Sequence, residues 1–222
     1  MALADSAEGL TSLGLDRQPQ FAWARSQLDN RTVAHFNEQA DRSRALMNEL
    51  KALDRSRLSG MDAVNYDTIV FVGDTSEEGR RFNYGARGFP QAYVVNQLSS
   101  AYTSIPDFLD SQATVETAED MAAFLSRVGA YGTALDQETE RAVDDASRGA
   151  APTDFMIDKA LLQLRGARNT PAAEAVLAVA ATRKSTEAGL PDAGPEAARL
   201  IEASVYPALD RQIAALEAMR PT

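Results

Sequence analysis

The chain is expected to be mainly α, with antiparallel helical hairpins forming a bundle and one extended or short β segment near 89–113. Three observations lead there. Apolar residues recur at steps of three, four and seven along most of the 222 residues. Cap and breaker residues stand between these periodic stretches. One stretch, Phe89 to Gln97 and on through Leu109, departs from the pattern. Pro90 and Pro106 bracket it, and each disfavours helix in the residue before it. Between them Tyr93, Val94 and Val95 favour strand. An apolar content of 45% is enough to fill a core, and residues 1–222 are read as one helical domain.

Taken in order, residues 1–27 contain Gly9, Gly14 and Pro19 and read as loop, with at most a short helix near Phe21-Ala22-Trp23-Ala24. Asp29 or Asn30 is a candidate cap for a helix over 30–56, whose apolar stripe is Val33, Phe36, Ala40, Met47, Leu50 and Leu53. Ser59 and Asp62 have the spacing of a capping box and open a second helix, 60–82. Thr68-Ile69-Val70-Phe71-Val72 has strand propensity, but Met61, Val64, Thr68, Phe71 and Val72 share a helical stripe. Gly85 and Gly88 end it. In a strand over 92–97, Tyr93, Val95 and Gln97 would share one face.

Thr117 to Asp120 begins another helix, with acidic residues in its first turn. Gly129 and Gly132 predict a break or kink, and a further helix covers 131–148 with Gly149 as its stop. Helices follow at 153–167, where Phe155, Ile157, Leu161, Leu162 and Leu164 supply the apolar face, and at 171–187. The last runs from Pro195 to Met219, with Pro207 expected to kink or divide it.

Composition excludes several chemistries. A net charge of −10 leaves no basic excess for a nucleic-acid backbone, so no nucleic-acid partner is expected. The absence of cysteine excludes disulfides and thiolate metal sites. No apolar run approaches the ~18 residues of a membrane span. The start of the chain lacks the charged and apolar regions of a signal peptide. The single histidine, His35, has no partner motif and reads as a structural or surface residue. There is no His-Glu-x-x-His, no Gly-x-Ser-x-Gly, no phosphate loop and no dinucleotide fingerprint. Gly85-Ala86-Arg87-Gly88 reads as a turn. Carboxylates such as Asp136, Glu138, Glu140, Asp144 and Asp145 read mostly as solvated helix faces, so an enzyme working by paired carboxylates is disfavoured. Tyr66, Tyr84, Tyr93 and Tyr102 surround the extended stretch and read first as core packing.

Five segments carry a family resemblance: Ala92 to Leu98, Ala101 to Asp110, Val64 to Asp67, Ala134 to Arg141 and Val205 to Gln212. Together they resemble the N-terminal part of the bacterial domain-of-unknown-function 885 family. The resemblance implies a fold related to helical, two-lobed zinc carboxypeptidases. It also implies zinc for the full-length family, held by a His-Glu-x-x-His helix that this sequence lacks. No metal ligand or catalytic residue is therefore carried over, and no cofactor is expected on this chain. The reading is a non-catalytic N-terminal portion of a metallopeptidase-like hydrolase forming part of a substrate cleft. The alternative is a stand-alone helical binding or scaffold module. Tyr93, Gln97 and Tyr102 are the candidate substrate contacts. The expected partner is a second polypeptide or a missing C-terminal half bearing His-Glu-x-x-His, with a homo-oligomer through an exposed apolar face as the other expected association. A periplasmic or exported location is preferred over a cytoplasmic one.

Overall fold

The computed structural model describes residues 5–82, 84–85 and 93–220. Its helices are α1 (Ala7–Ser12), α2 (Val33–Lys51), α3 (Gly60–Gly79), α4 (Ala101–Ser111), α5 (Ala118–Ser147), α6 (Asp154–Asn169), α7 (Val176–Glu187), α8 (Gly194–Leu200) and α9 (Tyr206–Ala218). No strand occurs among the described residues, so the mainly-α expectation holds, and over 93–113 the expected extended or β segment near 89–113 does not form. Residues 93–100 form bends and turns, and 101–111 is helix. Phe89 to Ala92 lie outside the described residues.

The helix α5 is the axis of the molecule. The Thr117 side chain accepts from the Asp120 N–H and the Asp120 carboxylate accepts from the Thr117 N–H, a reciprocal cap that satisfies two helix-end donors. Met121, Phe124, Val128, Tyr131, Leu135 and Ala142 form its buried stripe. Gly129 and Gly132 do not interrupt it. Gly132 lets the chain after α8 lie close instead: a Cβ there would sit 2.5 Å from the Ser204 carbonyl oxygen. The Ser204 hydroxyl donates to the Gly129 carbonyl at 3.0 Å. The helix stops at Gly149, whose φ of 88° is one that L side chains rarely adopt.

Around α5 pack α4, α8 and α9, with α6 against α9 and α7 against α8. Pro207 divides the last helix as expected, and the join is one π turn, Ile201–Val205. Proline lacks the N–H that would continue the regular ladder, and widening the turn accommodates that loss. Pro106, in contrast, sits inside α4. A regular helix would send an N–H from position 106 to the Tyr102 carbonyl. The Tyr131 hydroxyl donates to that carbonyl instead, at 3.3 Å, so α5 supplies the donor that proline withholds.

The N-terminal segment is more ordered than its glycines suggest. After α1 come 3₁₀ turns at Leu15–Arg17 and Pro19–Ser26, and Ala7, Leu10 and Ala24 form a small core of their own. The cap of α2 is Thr32, whose hydroxyl accepts from the His35 N–H, not Asp29 or Asn30. Ser59 precedes α3 without a side-chain cap. The segment expected as one helix at 171–187 divides into a 3₁₀ turn, Ala172–Glu174, and α7.

The pair α2–α3 stands largely clear of the bundle. α2 buries no residue and α3 only Ala63. The two helices are joined by the ion pairs Arg44–Glu77 and Lys51–Asp74 and by Gly73 pressed against Met47, and the turn between them is tied to α3 by Arg55–Asp67. The stripe Met61, Val64, Phe71 and Val72 exists, but it faces outward, with Phe71 72% exposed. On α6 the buried residues are Ile157, Ala160, Leu161 and Leu164, while Phe155 and Leu162 point to solvent.

Candidate functional site

Charged side chains interrupt the buried stripe of α5 at Asp120, Arg127, Glu138, Arg141 and Asp145. A buried charge is tolerated only when paired and hydrogen-bonded, and each of these has found partners in another segment. Asp120 accepts from Arg17 and Arg25, both at 3.1 Å. Burial pushes its carboxyl up, but the Glu116 and Thr117 N–H groups and the two arginines outweigh burial and hold it below the usual range. Arg127 donates to the carbonyls of Ala24 (2.7 Å) and Gln27 (2.9 Å) and to the Thr11 hydroxyl. Its burial lowers the guanidinium to about 10. Asp145 accepts from the Gly85 N–H at 2.7 Å, and Arg141 donates to the Gly85 carbonyl at 2.9 Å.

Glu138 is the chemically distinctive member. It is 6% exposed. One carboxylate oxygen accepts from the Ala101 N–H at 2.8 Å, at the start of α4. The other lies 3.6 Å from the Arg31 guanidinium, which is also held by Glu8 at 2.9 Å. Burial raises the Glu138 carboxyl to about 7, and Arg31, the Ala101 N–H and Arg141 pull against that rise without cancelling it. A carboxyl so placed is a hydrogen-bond donor when protonated and an acceptor-only anion when not, and its change of state falls near neutrality.

Above it opens a recess of about 390 Å³. Arg31 and His35 line one side, Glu138 and Arg141 the floor, and Val94 and Ser99 the segment before α4. The Arg141 guanidinium lies 4.2 Å from the centre of the Phe36 ring, a cation–π contact that fixes both groups. Most of the residues lining the recess are polar or charged, and it is of the size that takes a small ligand or one end of a longer one. His35 belongs to this wall, half-buried.

Tyr93, Gln97 and Tyr102 do not come together in one place. Tyr93 and Gln97 are half-buried in the turn that carries Val94 and Ser99 to the recess. The Tyr93 carbonyl accepts from the Asn96 side chain at 3.3 Å. Tyr102 is buried and turns toward α6, its hydroxyl donating to Gln163 Oε1 at 2.8 Å. Its burial and the nearby Glu138 raise the phenol to about 12. Glu138 and Asp145, read from sequence as solvated carboxylates, are both buried. The signal that finds Glu138 is its spacing, seven residues after Tyr131 and three after Leu135, on the stripe that faces the core.

Among the described residues no three His, Asp or Glu side chains are grouped so as to hold an ion. No helix among them is long and apolar enough to cross a membrane.

These features define a mainly helical bundle organised by one central helix, with a recess lined by charged residues over a buried carboxyl. The sequence matches over residues 8–222 the family described as "Bacterial protein of unknown function (DUF885)", and the chain belongs to that family. Its fold is similar to that of a crystal structure described as "the putative lipoprotein from Colwellia psychrerythraea", with a TM-score of 0.85 at 15% identity. The similarity covers 96% of this chain and 38% of that one, so this chain spans well under half the length of its structural neighbour. No curated protein matches the sequence.

Proposed function

We propose that this chain is the N-terminal, non-catalytic portion of a zinc-metallopeptidase-like hydrolase and that the Glu138 recess is one wall of its substrate cleft. The observation that carries this reading is the recess itself: an open pocket lined by charged residues and set over a buried carboxyl that is poised near neutrality. The similarity to only 38% of a longer chain supports a portion of a larger whole. In this reading Tyr93 and Gln97 contact substrate at the mouth of the recess, and Tyr102 contributes through its ring, since its hydroxyl is engaged by Gln163. The exposed Met61, Val64, Phe71 and Val72 face of α3 is the surface on which the remaining part packs. The metal and the catalytic base lie in that part, so no catalytic step is assigned to residues of this chain. An exported location is in keeping with a structural neighbour described as a "putative lipoprotein".

The test is intact mass and subunit composition from the native source, with the DNA downstream of codon 222. The expected result is a longer polypeptide, or a co-purifying one, that bears His-Glu-x-x-His. A monomer of 23.9 kDa with neither would overturn the reading in favour of a stand-alone binding or scaffold module.

A further inference from the structure

A second cavity, of about 320 Å³, opens at the ends of α6 and α9 and is separate from the charged recess. Its floor is apolar and buried, made by Leu177, Ile201, Val205 and Leu209. The backbone around it is irregular on three sides. Pro106 lies in α4, the π turn supplies Ile201 and Val205, and the 3₁₀ turn before α7 carries Glu174. Wide helical turns of this kind occur frequently at functional sites.

Tyrosine rings line the walls, from Tyr102, Tyr131 and Tyr206. Their hydroxyls are all committed to internal acceptors: Gln163 Oε1, the Tyr102 carbonyl and the Thr170 carbonyl. What remains for a ligand is the ring surface. One guanidinium lies close by: Arg168 sits 4.8 Å from the centre of the Tyr206 ring and is paired with Asp210 outside the cavity lining. Glu174 stands exposed at the rim, no basic side chain is among the lining residues, and no ion pair holds Glu174 among the described residues.

We propose that this cavity binds an organic monocation with a small apolar body, an amine or a quaternary ammonium. The body rests on Ile201, Val205 and Leu209. The positive charge meets the rings of Tyr102 and Tyr131, aromatic groups that attract cations, and Glu174 provides the opposite charge at the mouth. An anion of the same shape finds neither. The volume is at the small end for ligand pockets, which limits the body to about one ring and a short chain. None of the cavity's lining residues lines the recess, and Tyr102 is the one residue this inference shares with the hydrolase reading.

Three probes of nearly one shape test it: phenethylammonium, 2-phenylethanol and phenylacetate. Binding to the whole chain is followed by the aromatic NMR signals of its six tyrosines and of His35. Phenethylammonium should shift the ring signals of Tyr102, Tyr131 and Tyr206, leave His35 unmoved, and bind roughly fivefold or more tightly than the alcohol, with phenylacetate weakest. Glu174→Gln is an exposed change that leaves the fold intact, and it should remove most of the difference between ammonium and alcohol. Ala167→Trp at the rim should block all three. Equal affinity for the three probes, shifts at His35 in place of the tyrosines, no binding of phenethylammonium, or unchanged selectivity in Glu174→Gln would each overturn the proposal.

Discussion

Replacing Glu138 by Gln keeps the shape of the side chain and removes its titration, so it isolates the energetic consequence of the buried carboxyl. In the folded chain this group titrates at about 7, against an ordinary value of 4.5. The folded state therefore holds the proton more tightly than the unfolded state does. The stability associated with that proton is fully present below about pH 4.5 and is lost as pH rises toward and through 7. At ~1.4 kcal/mol per pH unit of separation, the loss amounts to roughly 3 kcal/mol. Arg31, Arg141, Glu8 and the Ala101 N–H all act on this group, and they are the same in both proteins. Urea denaturation of the parent and of Glu138→Gln, repeated from about pH 5 to about pH 8, gives the difference between them at each pH. That difference should move by roughly 2–3 kcal/mol in favour of the variant as pH rises across the range. Other carboxylates cancel in the comparison. A difference that stays flat with pH would refute the assignment of a raised, buried carboxyl.

Three further outcomes are expected. Gly132→Ala should cost roughly 1–3 kcal/mol in denaturant unfolding, because its Cβ meets the Ser204 carbonyl oxygen at 2.5 Å, whereas Gly129→Ala, whose nearest neighbour is Leu200 at 3.6 Å, should be neutral or stabilising by up to ~1 kcal/mol. Tyr131→Phe should cost about 1 kcal/mol by leaving the Tyr102 carbonyl without its donor; in a double-mutant cycle with Pro106→Ala, which restores a backbone N–H at that turn, most of the cost should disappear. Amide hydrogen exchange should be fastest, among helices of similar length, in α2 and α3, since neither is anchored by more than one buried residue; protection there equal to that of α5 would contradict the described packing.

The sequence patterns foretold the helical class and most helix positions after residue 117, because these helices bury one face and their caps are local. Thr117 with Asp120, Gly149 and Pro207 all act as their residue types predict. What failed has specific causes. Pro106 argues against helix by every local rule, and the helix forms because Tyr131, twenty-five residues away, offers the missing donor. The helical period of Met61, Val64, Phe71 and Val72 was real, but amphipathic spacing states only that a face exists, not that this chain covers it. Glu138 was hidden among Asp136, Gln137 and Glu140, where a charged run reads as solvated surface. Its burial depends on Arg31 and on the start of α4, both remote in sequence. The short turns at 15–26 are likewise fixed by Arg127 and Asp120, not by their own propensities.

The clamps between the first thirty residues and α5 also set an order of events. Arg127 reaches back 103 residues to Ala24 and 100 to Gln27, and Gln137 reaches 106 to the Arg31 N–H. At ~5–20 residues per second, a growing chain exposes its first segment for roughly 5–20 s before those partners are made. During that interval the small Ala7, Leu10 and Ala24 core has nothing to hold it, and the carbonyls that Arg127 will cover are open to water. α1 thus waits for partners synthesised about a hundred residues later, and a nascent chain stalled before residue 127 would present this segment unsecured to chaperones and proteases.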